Sequence, residues 1–448
     1  MAFLSGCPRV DHLDRAPTPE DLHRVYIRTV EDTDTVFGTL LSILRQPALG
    51  QYVRHVKLDR AVAYPLQPPD LKTTREISEE DRKLLEGAIR QAGFQGKQHD
   101  MMMNIVTHQP RESSFHDTKR KIDLIHLTQA LTALMISVAP KLESFAFPVI
   151  SRGFDSPEEC YLMLQAFLER ATANPTEIPY LQNLRDVSCL SNKDPILSDK
   201  RFYENYDFAE QMKLVGNLPA VETIRVDAIE DRHESIELEP RSTNFKKVYI
   251  QNSNYSSRSL AEIITSCKRL QEFKYSIGGR ASVDGSHAMF IEQHLLDALL
   301  YHTNTLQTLE VDVDEEFFAE RPAYWDTEDE YSVKDPYGEA SNEGRPMSLR
   351  DFTAMTHLRI GIKLLMALAR ASMSKGGLEE PSFSLIDILP PNLEYLCILG
   401  YTVGTNSKHD AQISFLMEHR DRLPLLKEIA GVDVHIPNAT SVEDPDED

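Results

Sequence analysis

A six-residue pattern of hydrophobic positions, apolar-x-x-apolar-x-apolar, returns along most of this chain. The last two apolar positions are separated by one residue, as expected for a short strand that buries one face. Ten copies are clear, and a weaker one follows at Leu426-x-x-Ile429. The ten copies begin at Leu22, Val53, Leu142, Leu184, Val221, Phe245, Leu270, Leu306, Met355 and Leu393.

Helical patterns precede several of these copies. Apolar residues at three- and four-residue spacing run from Leu260 to Cys267 before Leu270, and similar stripes precede Leu142 and Leu306. One helix and one strand cannot bury their apolar faces alone, whereas stacked copies share a continuous core. The sequence therefore predicts an α/β leucine-rich-repeat solenoid of irregular helix–strand repeats, with a curved parallel sheet on its concave face.

We predict a single domain over residues 1–448, because the repeated unit explains the chain better than any division into two. Two insertions interrupt the repeats, at about 65–122 and 312–347. The first contains one convincing helix, Ser78 to Gln91, whose start resembles a capping box. The second is an acidic, aromatic loop, and the acidic tail 437–448 is expected to be disordered.

One repeat contains a cysteine at the end of its helix. The segment from Leu260 to Tyr275, with Cys267 just before the strand, resembles the cysteine-containing repeat of fungal F-box proteins with leucine-rich repeats. A second match is Leu299 to Val311, and the opening from Leu22 is similar to the segment that commonly follows the F-box. This resemblance implies the substrate receptor of a cullin-type ubiquitin ligase, which binds a small adaptor subunit through its F-box. The residues before the first repeat are too few for an F-box, so we expect the recognition half of that role.

Composition narrows the partners and the compartment. Lys and Arg number 48 against 70 Asp and Glu, so the net charge of 48 − 70 = −22 disfavours nucleic acid and anionic membranes. The five cysteines are scattered without a CxxC pair, which indicates reduced thiols instead of a disulfide framework. The N-terminus lacks the pattern of a signal peptide, and the most apolar stretch, 122–139, carries polar residues. We therefore predict an intracellular protein, cytoplasmic or nuclear.

The sequence contains no motif typical of an active site. P-loop, GxSxG and HExxH patterns are absent. His99, His108 and His116 fit no metal-ligand frame, and the stretch from Asp312 to Glu316 lacks the glycine and closing glutamate of a calcium loop. We predict no catalytic residue, no cofactor and no metal. An enzyme whose site lies in one of the insertions is the alternative.

The two repeat cysteines lead to opposite expectations. Cys267 closes an apolar helical stripe, so we expect a buried thiol. Cys397 occupies the outward position between Leu396 and Ile398, so we expect it to be the more exposed of the two.

The candidate binding surface consists of the residues between the apolar strand positions. In a solenoid these side chains point into the concave face, which is the usual site of binding. Arg225, Lys247, Tyr249 and Lys274 form a basic and aromatic line, which we interpret as the site that grips an acidic or phosphorylated segment of a protein partner. The alternative is the ordinary mixed charge of exposed strands. Trp325 in the acidic loop is a second candidate, either as an anchor for a partner or as part of a disordered insertion.

These features together predict a non-enzymatic protein–protein interaction module. It would be either the recognition part of an F-box-type receptor or a free-standing repeat scaffold without a ligase role.

Overall fold

The computed structural model describes residues 18–59, 77–107, 118–148, 163–191, 201–231, 238–282, 290–313, 348–371 and 384–439. Trp325 and all but the first two residues of the predicted 312–347 insertion lie outside these ranges. Parts of the first insertion and most of the predicted acidic tail lie outside them as well.

Eleven strands form one parallel sheet, in which they follow each other in chain order. They are β1 (Arg24–Ile27), β2 (His55–Leu58), β3 (Ser144–Pro148), β4 (Asp186–Leu190), β6 (Thr223–Asp227), β8 (Lys247–Gln251), β9 (Glu272–Ser276), β10 (Thr308–Asp312), β11 (His357–Gly361), β12 (Tyr395–Leu399) and β13 (Glu428–Ala430). A separate parallel pair consists of β5 (Glu204–Asn205) and β7 (Ile229–Glu230). The predicted α/β fold with a large parallel sheet is confirmed.

Helices lie between most successive strands of the sheet, because a parallel pair needs a crossover connection. They are α1 (Pro19–Leu22), α2 (Val30–Arg45), α3 (Glu79–Gln91), α4 (Lys97–Thr107), α5 (Thr118–Ser137), α6 (Met163–Ala173), α7 (Phe208–Val215), α8 (Ser257–Ser266), α9 (Glu292–Leu299), α10 (Ile362–Ala371), α11 (Leu385–Ile388) and α12 (Ser407–Glu418). Side-chain caps begin several of them. Thr29 and Asp32 form a capping box at α2, and Ser256 caps α8.

Each copy of the hydrophobic pattern contributes one strand of the large sheet, and the copies pair in register. The second apolar positions are consecutive partners in the run Ile224, Val248, Phe273, Leu309, Leu358, Leu396 and Ile429. Val56, Phe145 and Val187 are partners in the same way on β2, β3 and β4. Because equivalent residues stack on each other, the apolar positions form continuous rows, which are almost completely buried from Ile224 to Leu396.

The chain divides into two compact units. The first comprises Met1–Leu190 with Asn217–Val221, and the second comprises Ser191–Gly216 with Glu222–Asp448. In the first unit an aromatic cluster joins α6 to the loop after α3, since the Phe167 ring lies 4.9 Å from Tyr180 and 6.4 Å from Phe94. The candidate surface on β6 to β9 belongs entirely to the second unit. The single-domain organisation stays a prediction.

The first insertion contains more helix than the sequence predicted. The predicted helix is present as α3, and the Ser78 hydroxyl accepts a hydrogen bond from the Asp81 amide at 3.0 Å. The prediction that 65–122 holds only this helix is wrong, because α4 follows and α5 already begins at Thr118. Helix α4 buries Met102, Met103 and Val106 and packs against α3 and α5. Because three methionines are consecutive, the sequence of α4 shows no clear helical spacing of apolar residues. Only the packing against α3 and α5 identifies this helix.

Within the described part of the chain, no helix has the length and apolar character that crossing a membrane requires.

Candidate protein-binding surface

Strands β6 to β11 place every second side chain on the face opposite their buried apolar rows. Register pairs Arg225 with Tyr249, Tyr249 with Lys274, Lys274 with Glu310, and Glu310 with Arg359. In the row beside it, Lys247 pairs with Glu272. We call these seven residues the polar face. It brings together all four of the predicted binding residues that the structure describes.

Ion pairs between neighbouring strands place a carboxylate beside Lys247, Lys274 and Arg359. Lys247 forms a salt bridge with Glu272, and the Lys274 Nζ lies 2.5 Å from the Glu310 Oε1. Arg359 lies at a longer distance, 3.7 Å, from the Asp312 carboxylate. The predicted basic line is therefore a series of alternating charges. Glu272 and Glu310 were not among the predicted binding residues, because their pairing depends on the register between distant segments.

Tyr249 lies at the centre of the polar face. The Arg225 Cζ is 5.1 Å from the centroid of its ring and the Lys274 Nζ is 5.7 Å from it, so two cations flank one aromatic side chain. The Tyr249 hydroxyl donates a hydrogen bond to the Glu272 Oε2 at 2.6 Å. Burial raises the pKa of Tyr249, and the hydrogen bond to the Glu272 carboxylate raises it further. The phenol therefore stays protonated at neutral pH and keeps donating.

Glu272 has the opposite shift. Burial by itself raises the pKa of Glu272, but the hydrogen bonds from Lys247 and Tyr249, with the charges of Lys247 and Lys274, outweigh it and hold that pKa below its ordinary value. Glu272 is thus ionised at neutral pH while Tyr249 is neutral. Because neither group changes its protonation state near neutrality, the pair fits a fixed donor and acceptor better than a general acid or base.

The side chains of the polar face are only partly buried. The side chains of Lys247 and Lys274 are 37% and 30% exposed, and Arg225 is exposed. An ammonium has three donors, so each lysine can hold its glutamate and still bind a further oxygen. The arrangement offers oriented hydrogen-bonding groups around an aromatic ring, which suits recognition of a polypeptide.

The structure confirms one of the two expectations for the cysteines. Cys267 is completely buried at the end of α8, and burial raises its pKa to about 11. The expected difference in exposure between the two cysteines is not found, because Cys397 is 1% exposed and burial raises the pKa of its thiol as well. Cys397 does follow the outward alternation on β12, but Leu399 at the next outward position is also buried, so the face is not open there.

The residues considered for metals have other partners. Asp312 pairs with Arg359 and accepts a hydrogen bond from the Ala439 amide at 2.8 Å, and His99 lies 3.2 Å from Asp100. His108, His116, Asp314 and Glu316 fall outside the described residues. Among the residues that the structure does describe, no group of three or more His, Cys, Asp or Glu side chains is placed to hold a metal ion.

One serine–histidine contact has a structural explanation. The Ser257 Oγ lies 3.3 Å from the His294 Nδ1, and burial lowers the pKa of His294. The serine is only 1% exposed, however, and its hydroxyl accepts the Ile291 amide at 2.8 Å where α9 begins. A substrate cannot reach this oxygen, which stabilises the start of the helix.

A small cavity lies beside α8, lined in part by Asp231, Tyr255 and Ser259. Its volume of about 10 Å³ has room for roughly one water molecule. Ser259 donates a short hydrogen bond to Asp231 at its edge. This cavity is too small for an organic substrate.

No protein-family model matches the chain, and no curated protein is significantly similar to it in sequence.

Proposed function

We propose that this chain is a non-enzymatic protein-binding module whose polar face contacts the partner. The observation that carries the proposal is the arrangement around Tyr249, where Arg225 and Lys274 flank the ring and Glu272 accepts its hydroxyl. Arginine and tyrosine are enriched among the residues that dominate binding energy, and here strand register holds both in place. A rigid sheet positions such groups more firmly than a loop does.

We also propose that the fold is a leucine-rich-repeat solenoid whose concave face includes the polar face. The proposal is supported by the strand order, which follows the chain, and by the in-register stacking of equivalent apolar residues from Ile224 to Ile429. In such proteins each unit contacts mainly its neighbours, and the exposed strand face binds the partner.

The partner's contribution would be an acidic or phosphorylated segment. Lys247 and Lys274 already hold carboxylates at half-exposed positions, so an incoming carboxylate or phosphate can share or replace Glu272 and Glu310. Charge-assisted hydrogen bonds of this kind are about twice as strong as neutral ones. Trp325, which lies outside the described residues, stays a second proposed contact.

The proposal is tested by substituting Arg225, Lys247 and Lys274 together with Ala and purifying the tagged full chain from its native cell. Proteins that bind the wild type and are lost from this variant would be identified by mass spectrometry. Their binding is then measured with purified components. We expect affinity to fall at least tenfold, because about 1.4 kcal/mol of lost interaction already has that effect.

A charge-matched variant provides the control. Arg258, Lys268 and Lys427 lie off the polar face, and replacing all three with Ala changes the net charge by the same amount. We expect this variant to keep its partners. Equal loss in both variants would indicate a general charge effect, and unchanged binding by the first variant would refute the proposed surface.

A link to cullin-type ubiquitin ligases is a second proposal. It is supported by the repeat at α8 and β9, where Cys267 closes the helix just before the strand as in the family that the sequence resembles. Recovery of a cullin and its adaptor subunit in the same purification would support the receptor role. Recovery of other partners without either of them would favour a free-standing scaffold.

A further inference from the structure

The C-terminal segment runs back along the carboxyl ends of three strands. We call Gly431 to Ala439 the strap. The Gly400 amide after β12 donates to the Ile436 carbonyl at 2.8 Å. At the end of β11, a Cβ added to Gly361 would lie 3.3 Å from the Asn438 Oδ1. The strap therefore passes from β13 back towards the polar face.

The strap ends against a residue that contacts the polar face. The Ala439 amide donates to the Asp312 Oδ1 at 2.8 Å, and the other oxygen of this carboxylate faces Arg359. Asp312 is the last residue of β10, and its register partner Ser276 lies on β9, the strand that carries Lys274. The chain thus leaves the described structure at the edge of the polar face.

The middle of the strap is exposed. His435 Nδ1 lies 2.9 Å from the Tyr401 carbonyl, but Asp433, Val434 and His435 are all exposed. The Asn438 Oδ1 is buried, and among the described residues it has no hydrogen-bond partner, which costs stability. Segments with few buried contacts and unsatisfied polar groups open at low free energy. The exposed part of the strap can therefore open locally while the sheet stays folded.

The residues after the strap have the charge that the polar face is proposed to bind. Nine residues follow Ala439 in this sequence, and five of them are acidic: Glu443, Asp444, Asp446, Glu447 and Asp448. Neighbouring strands are about 4.8 Å apart, so β8 lies about 10 Å from β10. Nine extended residues span roughly 30 Å, which is more than enough to reach Lys247 and Tyr249.

We propose that the acidic residues Glu443 to Asp448 are an intramolecular ligand of the polar face, delivered there by the strap, and that a protein partner must displace them to bind. This regulation rests on the proposed function of the polar face. Their carboxylates would take the places beside Lys247 and Lys274 that an acidic partner uses. The nearby carboxylates of Glu272, Glu310 and Asp312 repel the acidic residues and weaken this attraction. Weak intramolecular binding is needed if a partner is to displace these residues.

The experiment uses two full-length proteins and one labelled peptide. The peptide has the sequence of residues 440–448, and its control has Gln and Asn in place of the five acids. The proteins are the wild type and a variant with Glu443→Gln, Asp444→Asn, Asp446→Asn, Glu447→Gln and Asp448→Asn. Fluorescence anisotropy measures the affinity of each peptide for each protein at low and at physiological salt.

We expect the acidic peptide to bind the neutralised variant about tenfold more tightly than the wild type, because a tethered competitor acts at an effective concentration near millimolar. The control peptide should bind neither protein. Adding the substitutions of Arg225, Lys247 and Lys274 with Ala to the neutralised variant should abolish binding, whereas the matched substitutions of Arg258, Lys268 and Lys427 should not.

Two further outcomes separate this inference from the proposed function. Equal affinity of the acidic peptide for both proteins would overturn the intramolecular ligand but leave the polar face as a binding site. No binding of the peptide to either protein would also overturn it. In that case the proposed function is still tested separately, by whether the variant with Ala at Arg225, Lys247 and Lys274 loses the partners that the wild type binds.

Discussion

The hydrogen bond between Tyr249 and Glu272 connects strands β8 and β9 and lies on the proposed binding surface, so it is expected to affect both stability and binding. Replacing Tyr249 with Phe removes the hydroxyl donor and keeps the ring, and replacing Glu272 with Gln removes the charge and keeps the shape. The two substitutions, alone and combined, form a double-mutant cycle that isolates the interaction from each residue's other contacts. We expect each single variant to be less stable than the wild type.

The coupling between the two residues follows from their geometry. A hydrogen bond to a charged group contributes about 1.5–3 kcal/mol when it is well shielded from water. The Glu272 side chain is 23% exposed, and solvent screens its charge in part. We therefore expect a coupling energy of about 1 kcal/mol at neutral pH, since a distance of 2.6 Å is typical of a strong phenol–carboxylate contact.

The coupling is measured by urea denaturation followed by circular dichroism, with amide hydrogen exchange in β8 and β9 identifying the transition of the second unit. The pKa of Glu272 is lower in the folded state than in the unfolded state. The ionised carboxylate therefore stabilises the fold fully at a pH above its pKa in the unfolded state, and this stabilisation is lost as the pH falls through its pKa in the folded state. The coupling should therefore shrink on acidification. A coupling energy below about 0.3 kcal/mol at neutral pH would refute the reasoning, because substitutions of residues that do not interact are additive to within about that value.

The same Glu272→Gln variant separates stability from binding. Loss of the carboxylate leaves Lys247 without its glutamate, so we expect tighter binding of an acidic peptide by a protein that is less stable. If affinity falls together with stability, Glu272 contacts the partner directly and the exchange of carboxylates is refuted.

Three other predictions concern the rows behind the polar face and the strap. Phe273 is completely buried, so Phe273→Ala should lower the free energy of unfolding by about 3–5 kcal/mol, and a loss under 1 kcal/mol in urea denaturation would contradict its place in the core. The native Cys267 thiol should not react with a disulfide reagent at pH 8, since burial raises its pKa to about 11, and it should react in urea; mass spectrometry of the labelled peptides distinguishes it from Cys397. At Gly431, φ is +82° and an added Cβ would lie 1.9 Å from the Ile398 carbonyl oxygen, so Gly431→Ala should loosen the strap and speed exchange of the Gly400 amide, whereas unchanged exchange would show that the strap is held elsewhere.

The sequence by itself determined the strands and the rows in which they stack. The apolar-x-x-apolar-x-apolar pattern located all eleven strands of the large sheet, because alternation over a few residues decides which strand face is buried. Ser78 as a helix cap and Cys267 as a buried thiol followed from local pattern in the same way. The outward residues Arg225, Lys247, Tyr249 and Lys274 could be placed on one face for this reason.

Only the tertiary structure decided what those outward residues contact. Lys247 meets Glu272 and Lys274 meets Glu310 because register aligns segments that lie 25 and 36 residues apart in the chain. The helix α4, the buried Cys397 and the return of the strap to Asp312 are likewise set by packing between distant segments. Local periodicity carries no information about such neighbours, since the intervening connections vary in length and bring together charges that the one-dimensional pattern keeps apart.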